Sequence, residues 1–271
     1  GHAVRVVDHL QCDLTILGGR LGVRFQGEFI GTPDAVIPRI GSSVTSYGAA
    51  VVRQFEMMGV YTVVTTEALL RSRDKRTALQ YLAANQLPVP DSVFTAMPEN
   101  VDSSLRILGE QYPLVIKMLN STQGQGVILG ESHSASLSVA EAFIRLKEEI
   151  MLQRFVEESK GKDVRVFIVG GQVIATMERS AQNGEFRSNL HRGATSHKVK
   201  ITSEEEAISL RAAQLMGLEV AGVDILRSNT GPLILEVNAS PGLEGIEGTT
   251  GVDIAGQIIR FVEANARPVP A

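Results

Sequence analysis

The spacing of apolar residues divides the chain into two parts. In the first, apolar runs at 34–41 and 61–66 predict strands, the former ending at Pro38, and periodic apolar positions at 42–59 and 67–87 predict helices. Because strands and helices alternate, we expect a small parallel α/β domain at the N-terminal end.

The second part is richer in strands. Its patterns predict strands at 113–119, 127–131, 151–158 and 162–180, the last turning at Gly170 and Gly171, and helices at 136–149, 204–218 and 253–266.

An acidic hairpin is predicted near the C-terminal end, with its turn at 228–231. Glu236 and Asn238 are two residues apart in its second strand and therefore share one face. If Asp224 of the first strand faces the same way, three oxygen ligands converge, and such ligands suit Mg²⁺. The alternative is a salt-bridged or edge hairpin that binds no metal, since a buried carboxylate needs only some partner.

Several polar residues interrupt apolar runs or form loops that suit a nucleotide. Lys117 lies inside a strand, at a solvated edge or aimed at an anion, and the loop after it carries Gly124 and Gly126, which let backbone N–H groups approach phosphate. The loop lacks the GK[ST] of a Walker A motif and is also compatible with a plain hairpin turn. Lys75 is compatible with a solvated helix face, and Asp163 with a strand-end cap.

A loop-like segment, FRSNLHRG at 186–193, carries Arg187, Ser188, Asn189 and Arg192. Paired arginines beside small polar residues suit recognition of phosphate or carboxylate. The following loop at 238–247 is compatible with a simple connection, but its glycines and proline would also place backbone N–H groups beside a metal.

Composition limits the classes of function. With 44% hydrophobic and 21% charged residues and a formal net charge of −4, the 271 residues are globular, form two or three lobes and give no reason to expect direct nucleic-acid binding. One cysteine, Cys12, excludes a disulfide framework and a multi-cysteine zinc site. Without a membrane-length apolar run or a signal peptide, a cytoplasmic location is expected.

The first residues are unusual. Residues 3–8 are predicted to form a strand, and Gly1-His2 is not a natural start. We therefore expect that upstream sequence is missing from this chain.

The order of these parts resembles the ATP-grasp superfamily. The closer resemblance, over essentially the whole chain, is to the RimK family of ribosomal protein–glutamate ligases. It rests on the strings TPDAVIPRIG, RQFEMMG, STQGQGV, FRSNLHRG, AGVDILR, GPLILEVNASPGLEGIE and TTGVDIAG.

This resemblance implies an ATP-grasp fold, α+β in character, after an N-terminal parallel α/β pre-ATP-grasp domain that lacks its first strand and helix. The domains would span 1–70 and 71–271, the latter divided into a lid-type lobe at 71–150 and a metal-binding lobe at 151–271. ATP would lie between antiparallel sheets. The resemblance also suggests a homo-oligomer, specifically a tetramer.

Residue roles follow from the same resemblance. The metal ligands would be Asp224, Glu236 and Asn238, Arg192 would stabilise the transferred phosphoryl group or the tetrahedral intermediate, and the nucleotide contacts would be Lys75, Lys117, Gly124, Gly126, Arg154, Phe155, Asp163, Arg187, Ser188 and Asn189. Arg154 departs from the family, where a glutamate is familiar, but adenine is usually read there by backbone groups.

The implied activity is ATP-dependent addition of L-glutamate to the C-terminus of the sixth small-subunit ribosomal protein, with two Mg²⁺ or Mn²⁺ ions and an acyl-phosphate intermediate; poly-α-glutamate is a further product. One alternative is a glutamate ligase that acts on a small molecule, and another is a binding module that senses ATP without turnover. The acceptor pocket is expected near Arg39, Arg187, Arg192 and residues 241–247.

Overall fold

The computed structural model describes residues 1–119, 126–182, 185–188 and 193–267. The strands in these ranges are β1 (Cys12–Leu17), β2 (Arg20–Phe25), β3 (Glu28–Phe29), β4 (Ala35–Val36), β5 (Tyr61–Thr62), β6 (Ser92–Thr95), β7 (Leu114–Met118), β8 (Val127–Gly130), β9 (Ile150–Arg154), β10 (Lys162–Val169), β11 (Gln172–Ser180), β12 (Thr195–Lys198), β13 (Val220–Ser228) and β14 (Gly231–Asn238). The helices are α1 (Thr45–Met57), α2 (Thr66–Arg73), α3 (Lys75–Ala84), α4 (Val101–Ile107), α5 (His133–Arg145), α6 (Ser203–Met216), α7 (Glu244–Thr250) and α8 (Ile254–Asn265).

The N-terminal part combines antiparallel and parallel pairing. Strands β1, β2 and β3 form an antiparallel sheet, while β4 and β5 pair in parallel. Cys12 and Val23 of the sheet pack with Val51 and Phe55 of α1 in a small core. The sequence analysis missed this sheet, although Gly18 and Gly19 between two apolar runs favour a hairpin turn.

The strand predicted at 3–8 is wrong. These residues join no strand in the structure, and Val4 and Val6 are 79% and 91% exposed. Their alternating pattern has no core to pack against, and a strand pattern without burial is weakly determined.

The helix predicted at 67–87 is two helices. The break is at Asp74, whose carboxylate accepts hydrogen bonds from the backbone N–H groups of Arg76 and Thr77 and so begins α3. Lys75 consequently lies in the first turn of α3, where the chain changes direction, and not on a continuous helix face.

A four-stranded antiparallel sheet follows, in the order β6-β9-β7-β8. Helices α4 and α5 cover it, with Leu105 and Ile144 packed on Ile116 and Leu152. Lys117, near the end of β7, lies opposite Val127 of β8.

The C-terminal part is built on a five-stranded antiparallel sheet in the order β12-β11-β10-β13-β14. Both predicted hairpins, at Gly170–Gly171 and between β13 and β14, are confirmed. Val164 and Val166 of β10 lie opposite Ile225 and Val223 of β13, and all four are buried. Because side chains alternate along a strand, this apolar face sends the intervening charged residues to the other face.

Candidate active site

A ladder of charged residues crosses that other face of the five-stranded sheet. Arg165 lies directly opposite Asp224, Asp163 opposite Arg179, and Asp224 opposite Glu236. The Nε and Nη2 groups of Arg165 donate to the two oxygens of Asp224, each at 2.6 Å. Arg179 donates in the same way to Asp163, again at 2.6 Å, and its Nη2 also reaches Asp224 at 2.8 Å. The sheet register thus forms one alternating network of charges.

This network explains how two carboxylates remain buried. Asp163 is 4% and Asp224 1% exposed, and an unpaired charge at such depth would be costly. Burial opposes ionisation of Asp224, but Arg165 and Arg179 outweigh it and hold the pKa of that carboxyl below its usual range. Burial also disfavours the charged form of Arg179, yet Asp224 and Asp163 raise its pKa above the ordinary value.

Glu236 and Asn238 form the outer edge of the ladder, as their two-residue spacing predicts. The amide nitrogen of Asn238 donates to Oε1 of Glu236 at 2.9 Å, and the Glu236 side chain is 44% exposed. Desolvation of the carboxyl by the surrounding protein and the nearby Asp224 together raise the pKa of Glu236.

The donor set at this edge fits magnesium. No group of three or more His, Cys, Asp or Glu side chains suited to a metal occurs among the described residues, so the candidate set is two carboxylates and an amide. Such oxygen ligands are those that Mg²⁺ prefers. Glu236 and Asn238 fit directly, whereas both oxygens of Asp224 accept from guanidinium groups and would have to exchange one of them.

Two lysines lie near the acidic edge, Lys117 on β7 of the four-stranded sheet and Lys75 at the start of α3. Lys117 donates to Oε1 of Gln153 at 2.7 Å, and Gln153 is itself oriented by a 2.9 Å hydrogen bond to Ser92. Burial lowers the pKa of Lys117 to about 8, although Glu236 acts in the opposite direction. Lys75 donates to the backbone oxygen of Leu119 at 3.0 Å, and burial lowers its pKa as well. Both ammonium groups thus lie near enough to Glu236 to interact with its charge.

The start of β8 approaches β7 closely at Gly126. The residue has φ of 61°, its carbonyl accepts from the N–H of Met118 at 2.9 Å, and a Cβ there would lie 2.6 Å from the Met118 sulfur. The position therefore favours glycine. Gly124 lies outside the described residues.

The residues matched to adenine lie at the end of β9. The Arg154 guanidinium is exposed and contacts Gln111 and Asp91, at 2.7 and 3.1 Å. Phe155 packs edge-on against Phe186, with ring centroids 6.4 Å apart. Because Gln111 and Asp91 bind the Arg154 side chain, a nucleotide contact at this residue would use the backbone.

The 185–188 segment connects the four-stranded sheet with the five-stranded sheet through its side chains. Arg187 pairs with Glu185 at 2.6 Å and donates to the backbone oxygen of Val127 in β8, while Ser188 donates to Asp163. Asp163 and Ser188, both predicted nucleotide contacts, are therefore adjacent. Asn189 and Arg192 lie outside the described residues.

The sequence analysis missed Arg165, Arg179 and Gln153. A signal for the first was present, because Asp163 and Arg165 are two residues apart and must share a face of β10. The partners of Arg179 and Gln153 depend on which strands pair, and the local pattern does not give that.

The antiparallel sheets, the facing lysines and the acidic hairpin define a protein of the ATP-grasp class. Solved structures with this fold include the ATP-grasp ligase PsnB in complex with its minimal precursor, with a TM-score of 0.74 and 25% identity over 97% of this chain and 91% of that one. A complex of PsnB with minimal precursor, Mg and ADP has a TM-score of 0.70 and 23% identity, covering 93% of this chain and 84% of that one. The D-alanine–D-alanine ligase of Bacillus anthracis with ATP has a TM-score of 0.67 and 17% identity, covering 85% and 78%.

Sequence comparison narrows the class. Residues 72–262 match the RimK-like ATP-grasp domain and residues 1–69 the RimK pre-ATP-grasp domain. Proteins named "Probable alpha-L-glutamate ligase" are 53% identical in Nitrosococcus oceani, over 98% of this chain and 88% of that protein, and 51% identical in Hydrogenovibrio crunogenus, over 99% and 89%. The chain belongs to the RimK family.

The predicted ATP-grasp fold with an N-terminal pre-ATP-grasp domain is confirmed, and the chain is an ATP-dependent carboxylate–amine ligase. In the described residues, no helix combines the length and the apolar character needed to cross a membrane.

Proposed function

We propose that this chain uses ATP and Mg²⁺ to join L-glutamate, through its amine, to the C-terminal carboxylate of a small-subunit ribosomal protein. The observation that carries the proposal is the convergence of Lys75 and Lys117 on the Glu236–Asn238 edge, in a chain whose relatives are named probable alpha-L-glutamate ligases. The ribosomal acceptor rests on the family resemblance.

The chemistry requires activation because a carboxylate is a poor electrophile. One oxygen of the acceptor carboxylate attacks the γ-phosphorus of ATP, and ADP leaves. The glutamate amine then attacks the acyl carbon, inorganic phosphate leaves, and the amine loses a proton to complete the amide. Neither step needs a protein nucleophile, in keeping with Cys12 being buried in the N-terminal core. The work of the protein is positioning and charge neutralisation.

The roles of the side chains follow from their placement. Lys117 and Lys75 neutralise the phosphate oxygens. Glu236 and Asn238, with Asp224 after exchange of a guanidinium, would hold Mg²⁺, which supplies Lewis acidity and further charge neutralisation when bound. Arg192 would contact the transferred phosphoryl group.

The nucleoside part of ATP would be bound next to the phosphates, beginning at Asp163 of the charged ladder. Each carboxylate oxygen has two acceptor sites, and Oδ1 of Asp163 carries a single hydrogen bond, from Arg179, among the described residues. A ribose hydroxyl could donate to the remaining site. The backbone at Arg154 and Phe155 would contact adenine.

The test is mass spectrometry of the ribosomal protein after incubation with ATP, Mg²⁺, L-glutamate and this enzyme. We expect mass increments of whole glutamate residues at its C-terminus, absent when ATP or glutamate is omitted and absent with Glu236→Gln. ATP hydrolysis that depends on glutamate but leaves the protein unmodified would overturn the protein acceptor in favour of a small molecule or free polyglutamate. No glutamate-dependent ADP formation at all would overturn the ligase proposal.

A further inference from the structure

Two arginines, Arg39 and Arg73, lie beside the acidic edge, and neither forms an ion pair within the described parts of the chain. Each is held by one N–H group on a backbone carbonyl. Nη2 of Arg39 donates to the oxygen of Pro241 at 2.8 Å, and Nη2 of Arg73 donates to the oxygen of Ile40. A carbonyl fixes a guanidinium without cancelling its charge, so neither charge is neutralised by a direct ion pair among the described residues.

Three separate segments bring these arginines together. Arg39 follows the short strand β4, Arg73 is the last residue of α2, and Pro241 follows β14. Burial lowers the pKa of Arg73, and Glu236 and Arg39 lie near enough to shift it in opposite directions. The two guanidinium groups therefore share one region with Glu236.

This region holds more positive charge than its own carboxylate balances. Lys75 and Lys117 already face Glu236, and Asp224 is held by two other arginines. Cations held together by the fold repel one another, and an anion that binds among them relieves that repulsion. Under the proposed function the two lysines bind the phosphates of ATP, and the arginine pair has no assigned ligand.

The geometry of the pair favours a carboxylate. Guanidinium groups bind carboxylates through two parallel N–H groups, and Arg39 is exposed, so a ligand can reach it. Nε of Arg73 and Oγ of Ser240 are buried and have no hydrogen-bond partner among the described residues. Unsatisfied donors of this kind are expected where a ligand completes the site.

The loop after β14 packs firmly against β13 and borders the region that holds Arg39 and Glu236. A Cβ on Gly222 would lie 2.8 Å from Cβ of Pro241, so the absence of a side chain lets this loop rest directly on β13. The Pro241 carbonyl, and with it Arg39, is thereby fixed relative to Asp224 and Glu236.

We propose that Arg39 and Arg73 form a subsite for a substrate carboxylate, either of the incoming amino acid or of the acceptor C-terminus. The assignment rests on the proposed ligase function and extends it from the nucleotide to the carboxylate substrates.

The test compares Arg39→Gln, which removes the charge, and Arg39→Lys, which keeps the charge but loses the planar fork. Arg24→Gln is the matched control, because Arg24 also donates to a backbone carbonyl, that of Gly27 at 2.9 Å, but lies half-buried in the N-terminal sheet. For each protein we would measure KM and kcat with ATP, L-glutamate and the ribosomal acceptor varied in turn. Calorimetry would measure binding of glutamate and of a glutamate-terminated peptide without turnover.

We expect Arg39→Gln to raise KM for one carboxylate substrate about ten- to hundredfold, as loss of hydrogen bonds between charged groups does, with KM for ATP unchanged. Arg39→Lys should recover part of the loss, and the melting curves should match those of Arg24→Gln. The substrate whose KM rises identifies the source of the carboxylate.

Two outcomes would overturn the subsite: a rise in KM for ATP alone, or carboxylate binding that Arg39→Gln and Arg24→Gln leave equally unchanged. Failure of the ligase proposal is distinguishable, because binding of glutamate or peptide that depends on Arg39 would persist without glutamate-dependent ADP formation.

Discussion

The lowered pKa of Lys117 makes nucleotide affinity depend on pH in a way that can be measured. In the free protein burial lowers this pKa to about 8. Beside a phosphate the charged lysine is favoured, so in the complex its pKa should return to about 10.4 or above. The complex therefore binds more protons than the free protein between these values, and affinity must fall as pH rises through this window.

The magnitude follows from the fraction of protonated lysine. With a pKa of about 8, Lys117 is about nine-tenths protonated at pH 7 and about one-tenth at pH 9, so the Kd for ATP should increase about tenfold between them. The folding stability of the free protein should change with pH in the opposite direction to its affinity for ATP. Its folded-state pKa lies below the unfolded value, so its stability should rise with pH over the same window.

The assay is calorimetric titration with ATP in a metal-free buffer, at several pH values from 7 to 9 and in buffers of different ionisation enthalpy. The charged groups that face Lys117 are Glu236 and Lys75. Lys117→Arg keeps its charge throughout and should abolish the pH dependence, whereas Lys75→Arg should largely retain it. Lys147→Arg, at an exposed position just after the end of α5, is the control for substitution alone.

Two results would refute this reasoning. A Kd that is flat between pH 7 and 9 would mean that Lys117 is not poised near pH 8 or does not contact phosphate. A tenfold change that survives in Lys117→Arg would assign the titration to another group.

The remaining predictions concern the loop and the buried carboxylate. Gly222→Ala should lower ligase activity at least tenfold and cost about 1–3 kcal/mol of stability, because its methyl group would displace Pro241. Gly242→Ala, with nothing within 4 Å of the added carbon, should change neither activity nor stability. Turnover and urea unfolding of the two variants check both expectations. Asp224→Asn should lose activity and about 3–5 kcal/mol of the free energy of unfolding measured in urea, because a buried charge pair loses one partner. Glu236→Gln should lose activity but keep a normal unfolding curve. An unchanged unfolding curve for Asp224→Asn would contradict its structural role.

Local signals predicted the acidic hairpin well. The turn sequence at 228–231 and the alternation through Glu236 and Asn238 lie within one short segment, and a short segment determines a hairpin and its faces. The same reasoning located Lys117, because a lysine flanked by buried apolar residues in a strand is costly without a purpose.

Long-range pairing set the limit of prediction. Arg165 and Arg179 become partners of Asp224 only because β10 lies between β11 and β13, an order that no local pattern specifies. Sequence reasoning therefore kept both a metal site and a salt-bridged hairpin open for Asp224 and could not name its arginine partners. The break at Asp74 was missed for a different reason, because the polar segment at 71–77 fits a solvated helix face as well as it fits a helix boundary.

Charge balance across the five-stranded sheet explains why the acidic edge is where a cation and the lysines approach. Arg165 and Arg179 offset two of the three carboxylates on this face, leaving one negative charge in surplus. Asp163 and Asp224 are buried and bound by guanidinium groups, so the surplus falls on Glu236, which is both half-exposed and weakly paired, 3.8 Å from Arg165. The pKa of Glu236 is raised because the surrounding protein desolvates its carboxyl and the nearby Asp224 disfavours its ionised form. Binding of Mg²⁺ would favour that ionised form, so under the proposed function the arginine network would leave Glu236 available to the metal.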